Sequence, residues 1–189
     1  MHVCCGPCFV YPYFDLKDNY NNIEVTGFFY NPNIHPFLEF KNRLNALKDF
    51  SDKEKINMIY DEEYGLEKFL KQIYFQENHD SVIPGLIQNS KVKSRCLRCY
   101  IDRLEQTAKK AKENNADAFS STMFLSPYQD HEVMIDICNK LSEKYNIEFF
   151  YKDWRPFYRQ SIPLSKEYNL YRQKYCGCVF SEYERYNDK

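Results

Sequence analysis

Apolar and polar positions along this 189-residue chain repeat with two different periods. Short runs rich in β-branched and aromatic residues predict strands. Longer stretches with an apolar residue every three or four positions predict helices. Residues 23–30 are a mostly apolar, β-prone run that ends at the turn signal Asn31-Pro32-Asn33. Residues 35–50 carry Phe37, Phe40, Leu44 and Leu47 at helical spacing. A short strand is expected at 56–60, then a helix at 62–77 with Leu66, Phe69, Leu70 and Ile73 inward. Residues 78–94 show no periodicity and read as an irregular loop with a turn at Pro84-Gly85. A helix at 95–114, a strand at 116–122, a helix at 129–145 and a strand at 147–151 follow. A last helix, at 163–174, precedes Tyr175-Cys176-Gly177-Cys178. At the other end, Met1-His2-Val3 read as the end of a strand and residues 6–20 as a helix that Pro12 should kink or shorten. A first strand this short implies that it is trimmed, or that the chain lacks a few residues before it.

Strands alternating with helices predict a single α/β domain over residues 1–189, a mostly parallel sheet with helices on both faces. Ligands of such sheets gather outside the carboxyl ends of the strands. The loops expected there carry Cys4, Cys5 and Cys8; Asn31, Asn33 and His35; Asp61; Ser126; and Asp153, Trp154 and Arg155.

Composition narrows the function. Aromatic residues make up 17% of the chain, with 17 Tyr and 15 Phe, more than a core needs, so some should line a surface or pocket. The formal net charge of -1 excludes a generally basic nucleic-acid binder, and a polyanionic partner must meet a local patch. The sequence shows no apolar run that would span a membrane and no secretory signal. In such a cytoplasmic context the 8 cysteines read as metal or redox chemistry rather than a disulfide framework.

Three of those thiols lie in Cys4-Cys5-Gly6-Pro7-Cys8, where a strand end turns into a helix start. Pro7 suits the first helical turn, and a helix N-terminus favours thiolate over thiol. Cys96-x-x-Cys99 sets two more thiols one turn apart on a helix. Four thiolates suit a structural zinc or an iron–sulfur cluster. Adjacent Cys4 and Cys5 should diverge and be awkward for one tetrahedral zinc, which favours iron–sulfur. Cys176-Gly177-Cys178 fits a strained, easily reduced disulfide, two free thiols, or further metal ligands. Cys138 lies on an apolar helix face near Val133, Met134 and Leu141 and reads as core.

Two basic stretches flank these sulfurs: Lys91, Lys93, Arg95, Arg98 and Arg103, and Arg155, Arg159, Arg172 and Lys174. They read as solvated helix faces or as a track for an RNA strand, with aromatics between them to stack a base. His35 reads as a surface histidine or as a proton donor. Asp61 and Asp153 read as helix caps or as functional carboxylates, Asp153 the more so for its neighbours Trp154, Arg155, Tyr158 and Arg159.

Taken together, Cys4-Cys5-Gly6-Pro7-Cys8, Phe29-Tyr30-Asn31-Pro32-Asn33-Ile34-His35-Pro36, Arg95-Cys96-x-x-Cys99-Tyr100, Ser126-Pro127 and Leu170-Tyr171-Arg172-Gln173-Lys174-Tyr175-Cys176-Gly177-Cys178 resemble the QueH-type epoxyqueuosine reductases over nearly the whole chain. The resemblance implies a Rossmann-like fold of the nucleotide alpha-hydrolase-like (HUP) type, with the cysteine motif in place of the usual phosphate loop. It implies cobalamin-independent, two-electron reduction of the epoxide of epoxyqueuosine at the tRNA wobble position, giving queuosine. It further implies a [4Fe–4S] cluster on Cys4, Cys5, Cys96 and Cys99, an additional iron nearby, and a redox-active disulfide between Cys176 and Cys178. Cys8 and Asp153 would sit close to the cluster. The partners implied are the modified tRNA and an unidentified electron donor. Phe9, Val10 and Pro12 depart from the smaller or less rigid residues expected and bear on the first helix's shape. Two other readings use the same residues: a zinc-stabilised, non-catalytic RNA-binding protein, and a metal-free thiol oxidoreductase acting through Cys176 and Cys178.

Overall fold

The computed structural model describes residues 1–74 and 92–187. Its strands are β1 (Thr26–Phe29), β2 (Asn57–Tyr60), β3 (Ala118–Phe119) and β4 (Glu148–Phe149). β1 pairs in parallel with β2, Thr26 opposite Asn57, and β3 pairs in parallel with β4, Ala118 opposite Glu148. These two small sheets are joined by the first residues of the chain, since His2 makes parallel bridges to both Phe28 and Ser121. The Val3 amide donates to the Phe28 carbonyl at 2.8 Å, and the His2 amide to that of Ser120 at 2.8 Å. The spatial order is therefore β2, β1, residues 1–3, β3, β4.

The strands are shorter than the apolar runs that encode them. Asn22, just before the expected strand, turns left-handed at φ 71°, and β1 begins only at Thr26. β3 stops early because Ser121 caps a 3-10 turn at Thr122–Leu125, its Oγ accepting from the Met123 amide.

Helix α1 (Gly6–Asn19) has Pro7 in its first turn and runs through Pro12 without being cut short. The lost backbone donor is offset by burial of Phe9, Val10 and Leu16. Helix α2 (Phe37–Glu54) buries Phe40, Leu44 and Leu47 but leaves Phe37 exposed, and ends at Lys55 in the left-handed conformation. Helix α3 (Leu66–Tyr74) buries Phe69. Most of the expected 78–94 loop, and the last turn of the expected 62–77 helix, lie outside the described residues. Helices α4 (Ser94–Glu113) and α5 (His131–Tyr145) pack on each other, α5 capped by Asp130, whose Oδ1 accepts from the Val133 amide.

The helix expected at 163–174 is displaced: α6 covers Tyr158–Glu167 and packs on α1. It stops where Asn169 turns left-handed at φ 53°, which leaves residues 170–177 irregular. A further helix, α7 (Val179–Tyr186), was not evident from the sequence pattern.

Two apolar clusters form the core. One gathers α4, α5, Phe119, Ile147 and Trp154; the other gathers Val3, Phe29 and the inner faces of α1 and α2. Trp154 was expected in the ligand-facing loops, but it is fully buried and its Nε1 donates to Asp15 Oδ2 at 2.8 Å. Cys138 is fully buried, as its apolar helix face requires. Among the described residues, no helix is long and apolar enough to cross a membrane.

Candidate functional site

Residues 1–3 have β1 on one side and β3 on the other, and the chain runs on from them into Cys4. That is where strand order reverses direction in an open parallel sheet, and where such sheets form a crevice. The Cys4 amide donates across it to Thr122 Oγ1 at 3.2 Å. Cys5 is the extended N-cap residue of α1. The sulfurs of Cys4, Cys5 and Cys8 all lie within 4.8 Å of one another, those of Cys4 and Cys5 3.9 Å apart. The adjacent thiols therefore do not diverge. The chain passes from strand to helix at Cys5, so strand-like alternation of side chains no longer holds. The spacing also suits a single tetrahedral ion, whose sulfur–sulfur edges are about 3.8 Å.

The three thiols are close enough for each to shift the proton affinity of the others. Hydrogen bonds from Cys5 and Cys8 pull the Cys4 thiol well below its ordinary value, and the Arg103 charge adds to this. Burial pushes Cys5 up, and the hydrogen bond with Cys4 pushes Cys8 up. Gln173 Nε2 reaches the same group, 3.0 Å from Cys5 Sγ and 3.3 Å from Cys8 Sγ.

Helix α4 brings Cys96 and Cys99, and, one turn beyond Cys99, Arg103. Arg103 is buried and donates to Asn31 Oδ1 at 3.0 Å, His2 Nε2 at 3.3 Å and Cys99 Sγ at 3.7 Å. Burial pushes the Cys99 thiol up to about 12 and raises Cys96 as well; Cys176 and Cys178 lie within electrostatic reach of both. Cys96 and Cys99 stand outside the tight Cys4–Cys5–Cys8 group.

The C-terminal segment closes over these sulfurs. Arg43, buried on α2, donates to the carbonyls of Tyr175 at 3.0 Å and Cys176 at 2.9 Å and is ion-paired with Glu39 at 2.7 Å. Cys176 is exposed and Cys178 half-buried, and both are free thiols in this structure. Cys178 caps α7, its sulfur accepting from the Ser181 amide at 3.4 Å.

Between the cysteine motif and this segment lies a cavity of about 590 Å³. Cys4, Cys8 and Cys176 open onto it, together with Tyr128, Tyr158 and Tyr175. Its charged lining consists of Arg43, Arg103, Arg172, Lys174 and Arg185, with no carboxylate among the described lining residues. Tyr128, 80% exposed, stands edge-on to Tyr158 at 6.0 Å between ring centres.

Other expected site residues lie elsewhere. Asp153 does not line the cavity; Arg155 Nη2 holds its Oδ2 at 2.6 Å, which keeps the carboxyl below its usual range. Asp61 Oδ1 accepts from the Glu63 amide, a turn-capping role. His35 is buried rather than on the surface, its Nδ1 3.1 Å from the Tyr64 hydroxyl. The Cys96-flanking basic stretch is not a free phosphate track: Arg98 and Arg103 are buried, and Lys93 and Arg95 are paired with Glu184 on α7. Arg43 and Gln129, whose Nε2 lies 3.9 Å from Cys176 Sγ, had no signal in the sequence, and Gln173 entered only as part of the C-terminal motif. Arg103 had a signal, since it lies four residues after Cys99 and so on the same helix face.

The model of the family described as "Epoxyqueuosine reductase QueH" matches residues 1–184. An epoxyqueuosine reductase QueH of Dehalococcoides mccartyi is 33% identical over 98% of this chain and 93% of its own. One of Thermotoga maritima is 34% identical over 98% and 90%, and one of Staphylococcus epidermidis 32% identical over 96% and 74%. With a match running from its first residue to residue 184 and relatives of this identity along nearly its whole length, the chain belongs to the epoxyqueuosine reductase QueH family.

Proposed function

We propose that this chain is an epoxyqueuosine reductase, an iron–sulfur oxidoreductase that removes the epoxide oxygen of epoxyqueuosine in tRNA. The observation that carries the reading is the opening of thiols from both ends of the chain onto one cationic, tyrosine-lined cavity. The strand order supports a Rossmann-like, HUP-type core. Counting residues 1–3 as the first strand, it is the 3-2-1-4-5 order of dinucleotide-binding sheets.

The donor set fits the implied cofactor. Soft thiolates suit iron–sulfur chemistry or zinc, and a buried arginine in contact with Cys99 needs nearby negative charge. Cys4, Cys5, Cys96 and Cys99 would hold a [4Fe–4S] cluster, with Cys8 left beside it for the additional iron or the substrate. Bound there, the cluster supplies electrons one at a time.

The remaining work falls to the chain itself. Lys174, Arg172 and Arg185 meet phosphates of the anticodon loop, and Tyr128 and Tyr158 offer faces for an unstacked base. Reduction of the epoxide to the alkene takes two electrons and two protons and releases water. Oxidation of Cys176 and Cys178 to a disulfide releases two electrons and two protons, so this pair balances one turnover. An external donor then reduces the disulfide. A cavity-lining tyrosine or thiol is better placed than Asp153 to protonate the oxygen, because Arg155 holds Asp153 as a carboxylate.

The test is anaerobic purification with iron and sulfide analysis, followed by an assay of epoxide loss on the modified tRNA anticodon stem. Brown, iron-loaded protein that turns over is expected. Colourless, zinc-loaded protein that leaves the epoxide intact would establish the RNA-binding alternative. Turnover that survives chelation would establish the metal-free thiol enzyme.

A further inference from the structure

Two buried guanidiniums line the cavity, and they are compensated differently. Arg43 has a carboxylate, Glu39, at 2.7 Å and two backbone carbonyls. Arg103 is equally buried, 3% exposed, yet among the described residues no carboxylate pairs with it. Its three acceptors are an imidazole nitrogen of His2, the amide oxygen of Asn31 and the sulfur of Cys99. A guanidinium does not shed its proton, so burial cannot neutralise it as it would a lysine. An uncompensated buried charge is costly, and the groups able to carry the balancing negative charge here are the sulfurs. Cys99 is in contact with it, and Cys4 lies two residues after His2, which is also in contact with it.

We infer that Arg103 is the fixed counter-charge of the sulfur centre and sets the potential at which that centre accepts an electron. The inference rests on the iron–sulfur reading given above. A thiolate-ligated cluster becomes one charge more negative on reduction. A permanent positive charge against one of its sulfurs, in a site screened from water, favours the reduced state. Arg103 is thus a positioning residue with an electrostatic task. A merely structural brace between Asn31, His2 and α4 would leave the potential alone.

The experiment is an anaerobic redox titration of the full chain, followed by absorbance and electron paramagnetic resonance. Two substitutions cancel the charge by different routes. Arg103→Gln removes it, and Asn31→Asp places a carboxylate against it. Arg103→Lys keeps it while losing the planar fork. Both charge-cancelling variants are expected to shift the one-electron equilibrium at least tenfold toward the oxidised form, about 59 mV per tenfold. Arg103→Lys is expected to stay within about threefold of the unaltered protein, well under one 59 mV step. If Arg103→Gln and Asn31→Asp both fail to retain iron while Arg103→Lys retains it, loading reports the same charge requirement. Iron-loaded Arg103→Gln and Asn31→Asp with unchanged potentials would overturn the inference, as would an Arg103→Lys shift as large as that of Arg103→Gln. Absence of iron and sulfide from the unaltered protein would instead overturn the proposed function itself.

Discussion

Arg43 reaches from α2 to the backbone of Cys176, its Nη1 donating to the carbonyl oxygen at 2.9 Å. A buried ion-paired side chain thereby ties the Cys-Gly-Cys segment to the body of the domain. Arg43→Ala should cost about 3–5 kcal/mol, because Glu39 is left buried without its cation. Denaturant midpoints measure the loss. Turnover should fall at least about tenfold, a factor equivalent to 1.36 kcal/mol of barrier, as Cys176 loses its register. Wild-type turnover in a folded Arg43→Ala protein would mean that the segment positions itself.

Gly177 is in a conformation that side chains rarely adopt, with φ 136°. A Cβ added there would lie 3.2 Å from Arg43 Nη1 and 3.2 Å from Ile34 Cγ1. Gly177→Ala should therefore destabilise by about 1–3 kcal/mol. It should also loosen the Arg43 clasp and speed alkylation of Cys176 by a bulky maleimide. Unchanged stability and labelling rate would contradict this.

The cysteines separate into site and core. Cys4→Ser and Cys99→Ser should abolish bound iron and turnover. Cys138→Ala, in a fully buried position, should retain both and lose only stability, about 1 kcal/mol for the small cavity. Iron analysis and thermal unfolding of the three variants check this. Full iron content in Cys99→Ser would remove that residue from the ligand set.

His35 gives the fold a pH dependence. Burial lowers its pKa from 6.5 to about 4, so the folded state favours the neutral ring more than the unfolded state does. Its contribution is fully present above pH 6.5 and is lost as pH falls toward about 4, where the unfolded chain binds the proton first. The loss amounts to about 3 kcal/mol. Denaturant melts between pH 7 and 4 should show a shallower slope for His35→Gln than for the unaltered protein. An identical slope would assign the acid sensitivity to other groups, such as His2, which burial also lowers, to about 3.

Asp153 tests the proton's source. Arg155 binds its carboxylate through two nitrogens, and the side chain does not line the cavity. Asp153→Asn should keep turnover within about fivefold, a barrier change of under 1.36 kcal/mol, with a full cofactor. A loss of a hundredfold or more would identify Asp153 as the acid after all.

The α/β alternation, the helix start at Cys4-Cys5-Gly6-Pro7-Cys8 and the cysteine pair on α4 were all legible in the sequence. Each of these depends on local pattern: apolar period, turn chemistry and helix-start residues within a few positions. The sequence misled where local signals were weak. The helix expected at 163–174 proved to be Tyr158–Glu167, because a left-handed Asn169 ends it, and α7 has only eight residues of pattern to announce it. The tertiary structure alone decided which charges are buried and what they touch. Nothing near Arg43 in sequence indicates that it will grip a carbonyl at position 176. The i,i+4 spacing from Cys99 places Arg103 on the cysteine face of its helix, but nothing near it in sequence indicates that it will be buried against Asn31 and His2. Both answers come from contacts between segments 72 to 133 residues apart, formed when α2, α4 and the C-terminal segment converge beside residues 1–5.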